Sequence, residues 1–225
     1  MSRLFDGFSW QDLVAWLPDL FAGFLISCQV AALSLMIGIP IGLICALGVQ
    51  SPRLPIRAPL LIFVEIGRGA PAIVLLQFIY FGLPHSGLAL TPYISAIAAL
   101  TWSTAAYTSE IIRAGLDSVP AGQKEAVLAL GMNSRDGLYY VLLPQGMRVS
   151  TPALLGFSIL VFQSTSLCFT ITLPELISRA YGIGSTTFLY FPALAVAGLF
   201  YVAVCLPASF LVSYLEHRSS AETSH

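Results

Sequence analysis

The chain is predicted to be an all-α integral membrane protein with five transmembrane helices. Three features carry this expectation: a composition too apolar for a soluble surface, five long apolar segments, and polar links whose basic residues fall mostly on one side. Hydrophobic residues make up 57% of the chain and charged residues 9%, against about 25% charged in an ordinary globular domain. Mean hydropathy is +0.85. So few charges cannot solvate a fold of this length, and lipid must be the solvent for most of it. The net charge of −1 leaves no basic face for nucleic acid. Cys28, Cys45, Cys168 and Cys205 all lie in apolar runs without a Cys-x-x-Cys pair, so they read as small packing residues.

Residues 1–19 carry Asp6, Asp12 and Asp19 against a single Arg3. That is the wrong charge and pattern for a secretory signal. Trp10 and Trp16 suit an external segment lying at the lipid headgroups. The transmembrane domain is expected over 20–215 and a short cytoplasmic tail over 216–225. The first span is placed at about 20–49, with a kink near Pro40. The second is placed at about 60–83. Its Glu65-Ile-Gly67-Arg68-Gly69-Ala-Pro71 puts two charges in an apolar helix. Glu65 and Arg68 are three apart and can neutralise each other on one face. They read either as an ion pair fixing helix packing or as an element of a gate or pathway.

The third span, about 93–112, is rich in hydroxyls, including Thr101, Ser103, Thr104, Thr108 and Ser109, which allow close helix contact. Glu110 and Arg113 again stand three apart at its polar end. A polar stretch, 113–148, separates it from the fourth span at about 149–171. Within the stretch, Ala121 to Leu130 reads as a short helix opened by Pro120 and stopped by Gly131. The run from Ala126 to Leu130 is too apolar for a solvated helix. It requires cover from the chain's own spans or from another subunit. In the fourth span, Gln163 lies fifteen residues past Arg148, roughly 22 Å along a helix and so beyond the midplane. A last span is expected at about 188–211.

Basic residues orient the chain. The links after the first and third spans, with the tail, hold Arg53, Arg57, Arg113, Lys124, Arg135, Arg148 and Arg218; the opposite side holds Arg3 and Arg179. The first group is therefore assigned to the cytoplasm, the N-terminus to the outside and the C-terminus to the inside.

Glu125-Ala126, then Gly131, then Val141-x-Leu143-Pro144 resembles the EAA loop of bacterial ABC-importer permeases: Glu-Ala-Ala, three residues, Gly, nine residues, Ile-x-Leu-Pro. Val127 stands for the third-position Ala and Val141 for Ile. The segment Val64-Glu65-x-x-Arg68-Gly69-Ala-Pro71 is similar to the Val-Glu-x-x-Arg-Gly-Thr-Pro segment of the polar amino acid subgroup, the histidine, glutamine and glutamate permeases. Ala105-Ala106-Tyr107-x-x-Glu110-Ile-x-Arg113-Ala-Gly115 is similar to that subgroup's third span and exit.

The resemblance implies a type I ABC-importer permease fold and a coupling role for Glu125, Ala126, Gly131 and Pro144, the last at the start of the next helix. It implies three partners: a cytoplasmic ATPase dimer, a second permease subunit that is either another copy or a paralogue, and an external solute-binding protein. It places the chain in the bacterial inner membrane as a multi-pass subunit importing polar amino acids. No cofactor is expected on this chain, since ATP and Mg belong to the ATPase, and no Gly-x-x-x-x-Gly-Lys-Ser/Thr loop occurs here.

Gln163-Ser164 stand before Thr165-Ser166-Leu167, where family members often carry Lys-Asp. The Phe162-Gln163 pair resembles permeases for acidic amino acids, glutamate and aspartate, which usually keep an Asp after it. Gln163 and Thr165, with Glu65 and Arg68, are the candidate pathway residues. The alternatives are a permease of the same superfamily for an opine or organic cation, a secondary transporter, or an intramembrane enzyme. The last lacks a base, since His85, His217 and His225 all lie outside the spans. A secondary transporter is disfavoured because no inverted repeat is visible.

Overall fold

A computed structural model describes residues 9–222, with side chains through 216. The expectations resting on Arg3, Asp6 and His225, and on the side chains of His217 and Arg218, fall outside what it describes. The described chain is helical almost throughout. Helix α1 spans Trp10–Val49, α2 Leu54–Gly69, α3 Ala72–Gln77, α4 Pro92–Asp117 and α5 Ala121–Ala129. They are followed by α6 (Ser134–Asp136), α7 (Leu143–Ser164), α8 (Leu176–Thr187) and α9 (Tyr190–Glu222).

α1 opens on a capping box. The Ser9 hydroxyl accepts from the Asp12 amide at 3.3 Å while the Asp12 carboxylate accepts from the Ser9 amide at 2.8 Å. The described residues of the expected external segment are thus the first turns of a 40-residue helix, which passes Pro18 and Pro40 unbroken. Trp16 packs inside the protein. It is buried against Leu20, Leu176, Ala180, Ala193 and Ala197, a core that ties α1 to α8 and α9.

α4 is the central helix. Against α1, a Cβ at Gly38 would lie 2.6 Å from the Thr104 side chain, and one at Gly42 would lie 3.0 Å from the Ala105 carbonyl and collide with the Thr108 hydroxyl. Gly38 and Gly42 are four apart, as are Thr104 and Thr108, so the two helices meet backbone to backbone along one seam. Toward the C-terminal end of α4, Gly115 makes a similar close contact with Gly146 and Ser150 of α7, a Cβ at Gly146 lying 3.0 Å from the Leu116 Cα. Two of the buried polar residues of α4 bond their own backbone, whereas the buried hydroxyls of Ser95, Thr101 and Thr104 have no hydrogen-bond partner among the described residues. Thr108 donates to the Thr104 carbonyl at 2.7 Å and Ser109 to Ala106 at 2.8 Å.

The expected second span is not one helix. α2 and α3 meet at an angle of 110°. Pro71 supplies the reason. It has no amide hydrogen to continue α2, and it drives Ala70 into extended backbone (φ −87°, ψ 135°). α3 then runs on through a π turn, Phe78–Gly82, and a 3-10 turn, Leu83–Ser86, that ends on Gly87 at φ +87°.

By length and hydropathy, the described residues contain three helical stretches able to cross a bilayer: Trp10–Val49, Ser134–Ile171 and Tyr190–Glu216. The bent pair makes a fourth if it counts as one crossing. The expected third span coincides with α4, which is too polar to pass that criterion alone. Ser134–Ile171 also starts well before residue 149. Most of the expected polar loop is therefore helix, and Pro144 lies in the first α turn after a π segment, Gly137–Leu142, inside a continuous rod. The widened turn absorbs the hydrogen bond that Pro144 cannot make.

One buried carboxyl ties α1, α8 and α9 together at one end of the bundle. Glu175 is 0% exposed and caps α8, accepting from the amides of Ile177 (2.9 Å) and Ser178 (2.8 Å). The hydroxyls of Ser27 on α1 (3.4 Å) and Tyr201 on α9 (3.5 Å) complete its surroundings. Nearby, Arg179 pairs with Asp19 at 2.8 Å. Burial pushes the Glu175 carboxyl up to about 7, outweighing the lowering effect of its four hydrogen bonds.

Two predictions follow from this packing. Gly42→Ala should lower the thermal midpoint of the detergent-solubilised protein, the overpacking costing about 1–3 kcal/mol. Gly198→Ala, where nothing lies within 4 Å of the added Cβ, should leave the midpoint unchanged or raise it. For Glu175, the raised pKa means that the folded state holds a proton which the unfolded chain releases above its ordinary value of 4.5. Its contribution is greatest below that pH and is lost as pH rises through about 7. Glu175→Gln should therefore flatten the fall in melting temperature between pH 5 and pH 8 relative to wild type, measured in parallel thermal scans.

Candidate coupling helix and central cavity

α5 stands apart from the bundle. Pro120 precedes it in extended backbone (φ −53°, ψ 139°). Its C-terminus is closed by Gly131 at φ +65°, with the Gly131 amide donating to Leu128 (3.0 Å) and the Met132 amide to Val127 (3.2 Å). This is a Schellman cap, and the left-handed residue it needs is the reason for glycine at 131. Of the nine residues of α5, only Val127 is buried. It fills the space left by the missing side chain of Gly137 at the base of the α7 rod. Gln145 adds a hydrogen bond to Gln123 at 3.3 Å. Glu125 and Ala126 are exposed, and Leu128 and Leu130 are 75% and 76% exposed. The chain's own spans therefore leave the apolar face of this helix uncovered.

A cavity of about 510 Å³ opens where three segments converge, within the size range of small-molecule sites. The break between α2 and α3 contributes Ala70, Pro71 and Ala72; α4 contributes Leu100, Ser103, Thr104 and Tyr107; the end of α7 and the turn after it contribute Phe157, Gln163, Ser164, Ser166 and Leu167, among others. Gln163 lines this cavity. Thr165 does not: it is buried on the far side, donating to the Phe162 carbonyl at 2.7 Å and lying 3.5 Å from the Tyr201 hydroxyl. The sequence does not mark Ser103, Tyr107, Phe157 and Ser166 as a group. They come from distant segments, and only the fold brings them together.

Below the cavity, charges alternate in a ladder. Glu65 meets Arg68 at 3.0 Å, Arg68 meets Glu110 at 3.6 Å, Glu110 meets Arg113 at 2.7 Å and Arg113 meets Asp117 at 2.9 Å. The two pairs expected from spacing are present, and the Arg68–Glu110 contact joins them across α2 and α4. Tyr107 links the ladder to the cavity wall. Its hydroxyl donates to the Arg68 carbonyl at 3.1 Å, and its ring stacks on Phe157 at 5.3 Å. Among the described residues, no cluster of three His, Cys, Asp or Glu is placed to hold a metal.

Residues 38–221 match the family model described as the inner membrane component of binding-protein-dependent transport systems. The chain is 34% identical to the glutamate/aspartate import permease GltK of Escherichia coli O6:H1, over 95% of this chain and 99% of that one. It is also 34% identical to the probable glutamine ABC transporter permease GlnP of Bacillus subtilis strain 168, over 93% and 96%. Its fold superposes on a solved amino acid ABC transporter with a TM-score of 0.87 at 31% identity, covering 93% of this chain and 98% of that one. In such importers ATP is hydrolysed by separate ATPase subunits, and the permease is not an enzyme. The chain belongs to the family of binding-protein-dependent inner membrane transport components, the permease subunits of ABC importers.

Proposed function

We propose that the chain is the transmembrane permease of an ATP-driven importer for polar amino acids delivered by an external solute-binding protein. It works in the bacterial inner membrane as a multi-pass subunit, paired with a second copy or a paralogue. In this scheme the N-terminus is outside, and α4 is a fifth crossing whose polar residues are shielded by α1 and α7. The distribution of basic residues supports that topology. The observation that carries the coupling role is the exposure of α5, apolar at its tip and anchored, among the described residues, through Val127 and Gln123. An ATPase groove is the cover such a face requires. ATP and Mg act in that partner, and closure of the ATPase dimer pushes α5. The Val127–Gly137 contact passes the movement to the α7 rod, and the tight α4–α7 seam passes it on to the cavity.

Acidic amino acids are one candidate cargo, supported by the likeness to GltK, but the equal identity to GlnP supports glutamine as strongly. Glu125→Lys and Gly131→Asp should each cut uptake by about tenfold or more, a loss of at least 1.4 kcal/mol of coupling, while the permease still reaches the membrane. The measurement is ATP-driven uptake in proteoliposomes holding the cognate ATPase and binding protein. Unchanged uptake in both variants would remove α5 as the coupling element.

A further inference from the structure

We propose that the central cavity selects a net-neutral, zwitterionic amino acid with a hydrogen-bonding side chain, and discriminates against glutamate and aspartate. The inference rests on the reading of this cavity as the translocation path. Among the described residues, its polar lining consists of hydroxyls and one carboxamide, from Ser103, Thr104, Tyr107, Gln163, Ser164 and Ser166, with no Asp, Glu, Lys, Arg or His. All amino acids share the ammonium and α-carboxylate, so discrimination falls on the side chain. A side-chain amide or hydroxyl can exchange hydrogen bonds with Gln163, whose carboxamide both donates and accepts. A side-chain carboxylate entering the same space would lose water without gaining a counter-charge, which is costly.

The nearest cation along the chain cannot fill that role. Arg68 lies two residues before Ala70, yet its guanidinium already holds both Glu65 oxygens, at 3.0 and 3.2 Å, and Glu110 at 3.6 Å. The whole ladder has three carboxylates (Glu65, Glu110, Asp117) and two guanidiniums (Arg68, Arg113), a net charge of −1. Its field opposes an anion moving from the cavity toward the cytoplasmic end of α4. A cationic side chain finds no carboxylate in the lining either, so the neutral class is the one the wall matches.

The test is equilibrium binding of radiolabelled L-glutamine to the detergent-solubilised permease–ATPase complex without its binding protein, so that the cavity alone sets preference. Unlabelled glutamine should displace the label, with glutamate, aspartate and arginine each needing about tenfold higher concentration or more. Gln163→Lys, and independently Ser166→Lys, should reverse the order in favour of glutamate by placing a cation in the wall. Glutamate or arginine competing as well as glutamine in the native complex, with the lysine variants still altering affinity, would overturn the charge selectivity and leave the cavity as the path. Absence of saturable glutamine binding, or competition indifferent to both variants, would overturn the cavity reading and this proposal together.

Discussion

The close approach of α1 and α7 to α4, made through glycines that leave no room for a Cβ, is the constraint on which the remaining geometry depends. Gly38 and Gly42 let α1 meet Thr104 and Thr108, and Gly115 and Gly146 let α7 meet the other end of the same helix. In lipid there is little hydrophobic gain from helix association, so close van der Waals contact has to supply cohesion. Once α4 is clamped by both helices, its polar residues have fixed surroundings. Some are buried against helix backbone, while Ser103 and Tyr107 are left facing a cavity.

The break at Ala70–Pro71 sets the other wall of that cavity. A continuous second span would have passed the site as a smooth helix face. Bending by 110° instead brings irregular backbone to the cavity edge. Irregular backbone at such depth is tolerated where it lines a wet cavity or is buried in protein. The charge ladder below it has a comparable logic. Its members are partly exposed, so its pairs are worth little as stability, but its three carboxylates against two guanidiniums leave a net negative charge tied through Tyr107 to the cavity wall.

The anchoring of α5 also follows from packing. α5 is short and isolated helices of nine residues are marginal in water. Its Schellman cap, the Val127 contact with Gly137 and the Gln123–Gln145 hydrogen bond hold it in place. The π turn ahead of Pro144 sits between this anchor and the α7 rod, where a widened turn permits a change of helical phase without a break.

Composition, the long apolar runs and the spaced Glu125–Gly131–Pro144 pattern made the helical membrane class, the short helix and its glycine stop legible from the chain alone. These are local properties: a proline opens a helix, a glycine at positive φ closes it, and apolar runs partition into lipid whatever their neighbours. The charged pairs Glu65–Arg68 and Glu110–Arg113 were visible for the same reason, since three residues place two side chains on one face. Tertiary structure alone decided that these pairs join, that Trp16 is core, that Gln163 faces the cavity and Thr165 turns away from it, and that Glu175 is buried among three helices. Each of those outcomes depends on which face of a helix meets a distant segment. In a chain this uniformly apolar, the sequence pattern does not distinguish the lipid-facing side from the protein-facing one.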